Sequence, residues 1–136
     1  MISDKELMGF AIAARHTAYA PYSGYQVGAA LITESGRLYT GCNVENSSYG
    51  ATCCAERTAV FKAVSDGELR IDKIAIAGGK GDKLNMAFPC GICRQVLREF
   101  SAPSKLKILV GKSAEEYKEY TLNELLPESF GPEALE

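Results

Sequence analysis

The chain has 136 residues, 46% hydrophobic and 24% charged, a balance that suits one globular domain over residues 1–136 and excludes extensive disorder. Its 15 basic and 17 acidic residues leave a formal charge of −2 without a basic run, which argues against polymeric DNA or RNA as a partner, because phosphate neutralisation carries most of that affinity. No apolar run reaches the roughly 18 residues of a membrane span, the opening Met1-Ile2-Ser3-Asp4-Lys5-Glu6 is unlike a secretory signal, and five Cys read as thiols for metal or catalysis in a cytoplasmic setting.

Ser3 followed by Glu6 makes a capping box, and Leu7, Phe10, Ala11, Ala14 and Ala18 follow at helical spacing, predicting a helix that stops before Pro21. Val27–Thr33 and Arg37–Asn43 read as strands of a hairpin around Glu34-Ser35-Gly36. A polar loop from Val44 to Cys53 leads into a helix from about Cys54 to Asp66, closed by Gly67. Ile71–Ala77 is an apolar strand, Gly78–Pro89 a glycine-rich loop, and Gly91–Phe100 a further helix. Leu106–Val110 and Tyr117–Thr121 read as strands and Leu122–Leu126 as a short helical turn, while the tail from Pro127 is too short for its own core. This order predicts an α/β sandwich, a mixed sheet covered by helices on its faces.

Two segments carry chemistry, Cys53-Cys54-Ala55-Glu56-Arg57 and Pro89-Cys90-Gly91-Ile92-Cys93-Arg94, each where a loop feeds a helix. Cys90 and Cys93 have C-x-x-C spacing, which serves zinc binding and dithiol–disulfide exchange alike. Cys54 favours zinc, since thiolates at two helix N-termini suit a dication and three protein ligands leave a fourth tetrahedral position open. Glu56 does not share a helix face with Cys54, so both reach one site only just beyond the helix end, where the carboxylate could take a proton from a metal-activated water. Three thiolates overcompensate a dication, and Arg57 and Arg94 are expected to donate hydrogen bonds to the sulfurs. Cys53 competes with Cys54, but the spacing to Glu56 favours Cys54. Cys42 reads as a small buried hydrophobe, and His16 as a surface or packing residue. A closed structural zinc site would need one of those three as a fourth ligand.

Cys54-Ala55-Glu56 together with Pro89-Cys90-Gly91-Ile92-Cys93 resembles the pattern of the zinc nucleobase deaminases, with Cys where many relatives have His. Pro21-Tyr22-Ser23, Val27-Gly28-Ala29-Ala30-Leu31, Gly41-Cys42-Asn43-Val44-Glu45-Asn46, Cys54 to Ala59, Pro89 to Gln95 and Phe130-Gly131-Pro132 are similar to segments of the small, three-cysteine, homotetrameric members of the cytidine and deoxycytidylate deaminase family. The resemblance implies a three-layer α/β/α sandwich with a mixed five-stranded sheet and one Zn2+ per subunit, held by Cys54, Cys90 and Cys93. It implies hydrolytic deamination of cytidine and 2′-deoxycytidine in pyrimidine salvage, with Glu56 shuttling protons to the ring nitrogen and the leaving amine. Asn43 and Glu45 would bind the ribose, Tyr25 would pack near the pyrimidine, Ala55 would line the substrate site, and Tyr49 and Phe130 would reach a neighbouring subunit's site. Tyr25 stands where the family more often has Phe. A cytosine-containing antibiotic of the blasticidin type is the rival substrate, and a thiol redox protein is the rival class.

Overall fold

Ser3 caps the first helix, α1 (Asp4–Ala14), in the computed structural model, which describes residues 1–136. Its hydroxyl accepts from the Glu6 N–H at 3.1 Å, and the Glu6 carboxylate accepts from the Ser3 N–H at 2.9 Å, closing the expected capping box. A 3-10 turn, Arg15–Thr17, ends the helix ahead of Pro21. The hairpin follows as β1 (Tyr25–Thr33) and β2 (Leu38–Cys42), then α2 (Ala55–Ser65), β3 (Ile71–Lys80), β4 (Lys83–Asn85) and α3 (Gly91–Glu99). β5 (Lys107–Gly111) and β6 (Tyr117–Thr121) complete the sheet, and a second capping box, Thr121 with Glu124, starts α4 (Leu122–Leu125). No helix is long and apolar enough to cross a membrane.

The sheet order is β2-β1-β3-β5-β6, with β4 added beside β3. β3 and β5 are parallel and every other pair is antiparallel, so the sheet is mixed. Five strands were expected, and the short β4 makes a sixth. β1 also starts two residues early and β3 continues to Lys80, where a plain loop was expected. The cause is backbone pairing, Tyr25 with Lys80, Gln26 with Gly79 and Gly79 with Leu84. Such a ladder needs no apolar alternation, and glycine is a poor strand former by itself.

Successive residues of the central strands face opposite layers. Ala29, Leu31, Ile74, Ile76, Ile108 and Val110 pack toward α2 and α3, whereas Ala30, Ala75, Ala77 and Leu109 pack toward Leu7, Met8 and Ala11 of α1. The α1 side is therefore lined mostly by small residues, and the helix lies close against the sheet. A Cβ at Gly28 would stand 2.0 Å from the Ala11 carbonyl oxygen and 2.5 Å from the Arg15 nitrogen. Across the sheet, a Cβ at Gly41 would stand 2.5 Å from the Ala59 nitrogen, so β2 and α2 are equally close and the N-terminus of α2 is set by the sheet. Gly28→Ala is expected to lower stability by about 3 kcal/mol or more, because the obstructing atoms are backbone. Urea unfolding measures it; an unchanged midpoint would show that α1 is free to lift.

Candidate active site

Cys54 and Cys90 hold equivalent places, each the residue that precedes the first turn of a helix, with extended backbone at φ −73°, ψ 157° and φ −68°, ψ 168°. α2 and α3 thus begin beside one another, and Cys93, in the first turn of α3, completes a cluster whose sulfurs all lie within 4.8 Å. Cys54 Sγ is 3.8 Å from Cys90 Sγ, and Cys90 Sγ is 3.5 Å from Cys93 Sγ. A zinc ion with bonds of about 2.3 Å in tetrahedral geometry sets its sulfurs roughly 3.8 Å apart, so the donor set fits zinc in softness and in spacing. Cys53 points elsewhere, with its sulfur near the Cys54 carbonyl and the Thr58 hydroxyl. Cys42 is half-buried rather than buried, His16 is exposed, and neither joins the cluster.

Arg57 Nη2 donates to Cys54 Sγ at 3.5 Å, while its Nε is buried without a partner. An orphan cationic donor beside three sulfurs marks a site built for strong negative charge. The Cys54 thiol is pushed down to about 5, chiefly by the hydrogen bond with Cys93 and then by Arg57, while Cys93 is pushed up by that same bond. Arg57 is held firmly cationic by Cys54. Arg94 does not join this arrangement. Its guanidinium donates to the carbonyls of Pro89 and Leu125, both at 2.7 Å, and so ties the start of α3 to α4 instead of touching a sulfur.

Glu56 is 4% exposed, and burial pushes its carboxyl up to about 7, opposed mainly by its own backbone N–H and reinforced by the Cys54 thiolate. It lines a cavity of about 430 Å³ together with Cys54, Ala55 and Cys90, and Asn43, Glu45 and Ser23 line the same cavity. The Asn43 amide accepts from the Val27 N–H at 2.9 Å and donates to the Tyr25 carbonyl at 2.8 Å, fixing two strand residues whose side chains form a wall. Glu45 accepts from the N–H groups of Tyr22 and Ser23 at 2.9 and 3.1 Å and from the Ser23 hydroxyl at 2.5 Å. These bonds, the hydroxyl first, hold its carboxyl below the usual range. Tyr25 lines the cavity as well, but Tyr49 and Phe130 do not. Tyr49 is 73% exposed, with its ring 5.6 Å from that of Tyr22, and Phe130 is 60% exposed.

The model of the cytidine and deoxycytidylate deaminase zinc-binding region matches residues 1–109. The chain belongs to this family. A cytidine deaminase of Halalkalibacterium halodurans is 46% identical over 123 residues, 90% of each chain, and one of Sporosarcina psychrophila is 48% identical over 125 residues, 90% of this chain and 87% of that one. The crystal structure of a cytidine deaminase from Burkholderia pseudomallei superposes with a TM-score of 0.81 at 42% identity, covering 91% of this chain and 96% of the other. As a family member the chain is a zinc-dependent deaminase, and the redox reading of Cys90 and Cys93 is set aside.

Within this deaminase several lining residues carried no readable signal in the sequence. Thr52, Met86 and Phe88 line the cavity, and Phe88 also makes an edge-to-face contact with Tyr120 at 5.6 Å. The available clue is position alone: Phe88 precedes Pro89, which forces extended backbone, and lies two residues before Cys90. Arg57→Ala is expected to raise the rate of zinc transfer to a chelator by roughly tenfold or more, since hydrogen bonds to metal ligands are commonly worth that in affinity. Zinc release followed with a chromogenic chelator tests this, and an unchanged rate would remove Arg57 from the metal site.

Proposed function

We propose that this chain, acting as one deaminase domain over residues 1–136, hydrolyses free cytidine and 2′-deoxycytidine to uridine and 2′-deoxyuridine with release of ammonia. The observation that carries the reading is the composition of the cavity. It joins the cysteine cluster and Glu56 to Asn43 and Glu45, and no Lys or Arg lines it. A nucleoside presents an amine and a ring nitrogen for the first group and hydroxyls for the second. A deoxycytidylate phosphate would meet carboxylates and no cation to neutralise it.

Cys54, Cys90 and Cys93 are the residues that would hold zinc. Bound zinc supplies Lewis acidity, which lowers the pKa of a water at its open position from 15.7 toward about 7. Glu56, buried beside the sulfurs, accepts a proton from the attacking water and delivers it to the pyrimidine ring nitrogen; it then takes a second proton from the hydroxyl now on the ring carbon and passes it to the departing amine, as that carbon becomes a carbonyl and its bond to nitrogen breaks. Glu45, fixed as an acceptor by Ser23 and Tyr22, accepts a hydrogen bond from a ribose hydroxyl, with the Asn43 amide lining the same cavity. Tyr25 and Ala55 line the pyrimidine end. Arg57 offsets the excess negative charge of three thiolates on a dication. The exposed rings of Tyr49 and Phe130 are available to sites of neighbouring subunits in a homotetramer. The assignment to cytoplasmic pyrimidine salvage goes with the substrate.

The test is the ultraviolet absorbance of cytidine with the zinc-loaded protein. We expect a fall as uridine forms, abolished by a tight chelator, and kcat/KM for deoxycytidine 5′-phosphate roughly 100-fold or more below that for deoxycytidine. Equal turnover of the two would overturn the nucleoside assignment, and turnover of a cytosine antibiotic in place of cytidine would transfer it to that class. Glu56→Gln is expected to keep one zinc per chain yet lose about 10²–10⁴-fold in kcat, the usual worth of a positioned acid–base group. Full activity in that variant would exclude Glu56 from the proton transfers.

A further inference from the structure

Arg15 is buried, 3% exposed, on the α1 side of the sheet, opposite the cavity. No carboxylate pairs with it. Its guanidinium instead donates to three backbone carbonyls: Nε to Gln26 at 3.3 Å, and Nη2 to Gly79 at 2.8 Å and to Gly81 at 2.5 Å. A buried cation without a counter-charge is costly, and packing of the helix end could be had from an apolar side chain. The arrangement therefore calls for a reason in what the three carbonyls do.

They belong to the two backbone segments that lead into the cavity wall. Gln26 lies between Tyr25 and Val27, whose side chains point to the opposite face and line the cavity. Gly79 lies in β3 and Gly81 in the turn to β4, and β4 runs directly into Met86, Ala87 and Phe88, which line the same cavity. Gln26 and Gly79 are also partners in the β1–β3 ladder, so one guanidinium ties the start of β1 to the end of β3 and to the turn that leads into β4. Beyond this point the remaining tie on β4 is a three-residue ladder, Gly78 to Asn85, Gly79 to Leu84 and Lys80 to Lys83. Such a short edge strand opens easily by itself.

We propose that Arg15 is a positioning residue for substrate, a clamp behind the sheet that sets the separation of the Tyr25–Val27 wall from the Met86–Phe88 wall. The inference rests on the nucleoside deaminase reading above. Arg15 makes no hydrogen bond to a lining side chain, a sulfur or Glu56, so it acts on the fit of the pyrimidine ring and not on the proton transfers.

The experiment uses zinc-loaded Arg15→Met and Arg15→Lys in the full chain. Both are expected to keep one zinc per chain and kcat within about twofold, while KM for cytidine rises roughly tenfold in Arg15→Met and less in Arg15→Lys, which restores part of the donor set. Hydrogen exchange is expected to quicken over residues 80–88 and to stay unchanged over β5. Lower thermal stability with KM unchanged would overturn the proposal, leaving Arg15 a packing residue; so would a joint loss of zinc and kcat. Should Arg15→Met fail to fold, Arg15→Lys and its exchange pattern decide alone. A parent protein that does not deaminate cytidine counts against the proposed reaction, and the exchange pattern then still tests the clamp.

Discussion

Three sulfurs and a carboxylate gathered at one point are the constraint to which the rest of the protein answers. Two unit charges about 3.8 Å apart repel by roughly 4 kcal/mol at an effective dielectric of 20. A cluster of ionised thiolates with buried Glu56 beside it is untenable without compensation from every direction. The fold supplies it by starting two helices at the cluster, so that the free N–H groups of both and their dipoles face the sulfurs. Arg57 adds a full charge at Cys54, and the family's zinc adds two more. Each of these lowers the cost of keeping the sulfurs ionised.

The sheet makes that convergence possible through an asymmetry of its two faces. Small residues on one side let α1 lie close, and Gly41 on the other lets α2 approach β2 backbone to backbone. The N-terminus of α2 is thereby set by the strands and not by flexible loops. The cavity inherits a division of labour from this construction. Of its lining, Cys54 and Cys90 come from helix starts, and Asn43 and Glu45 from the segment after β2, where Ser23 and Tyr22 orient Glu45. The β1 residues Tyr25 and Val27 are tied through their backbone to Asn43, and Arg15 donates to the Gln26 carbonyl between them.

Much of this was legible in the residues, for identifiable reasons. Capping boxes are local, so Ser3 with Glu6 predicts its own hydrogen bonds, and the Cys-x-Glu and C-x-x-C spacings bring their chemistry with them. What stayed hidden depends on partners distant in sequence. β4 exists because β3 offers its edge, and nothing in Lys83-Leu84-Asn85 announces it. Arg94 follows Cys93 directly, nearer a ligand in sequence than Arg57 is to Cys54, yet its guanidinium reaches Leu125, 31 residues on, because α4 packs there. Arg15 carries no signal in the sequence; its carbonyl partners, Gln26 in β1, Gly79 in β3 and Gly81 in the turn after it, meet only in the folded sheet.

The placement of both ligands just before their helices has a consequence for how such a chain tolerates change. The coordinates of the sulfurs are determined before either helix has completed a turn, so nothing about the cluster depends on how long α2 or α3 becomes. Extensions or deletions at their far ends, around Asp66 and Phe100, alter the outline of the molecule while leaving its reactive end where it was. Lineages can therefore diverge in size from that side without renegotiating the chemistry, whereas a single residue inserted between Cys54 and Glu56, or between Cys90 and Cys93, has no such freedom.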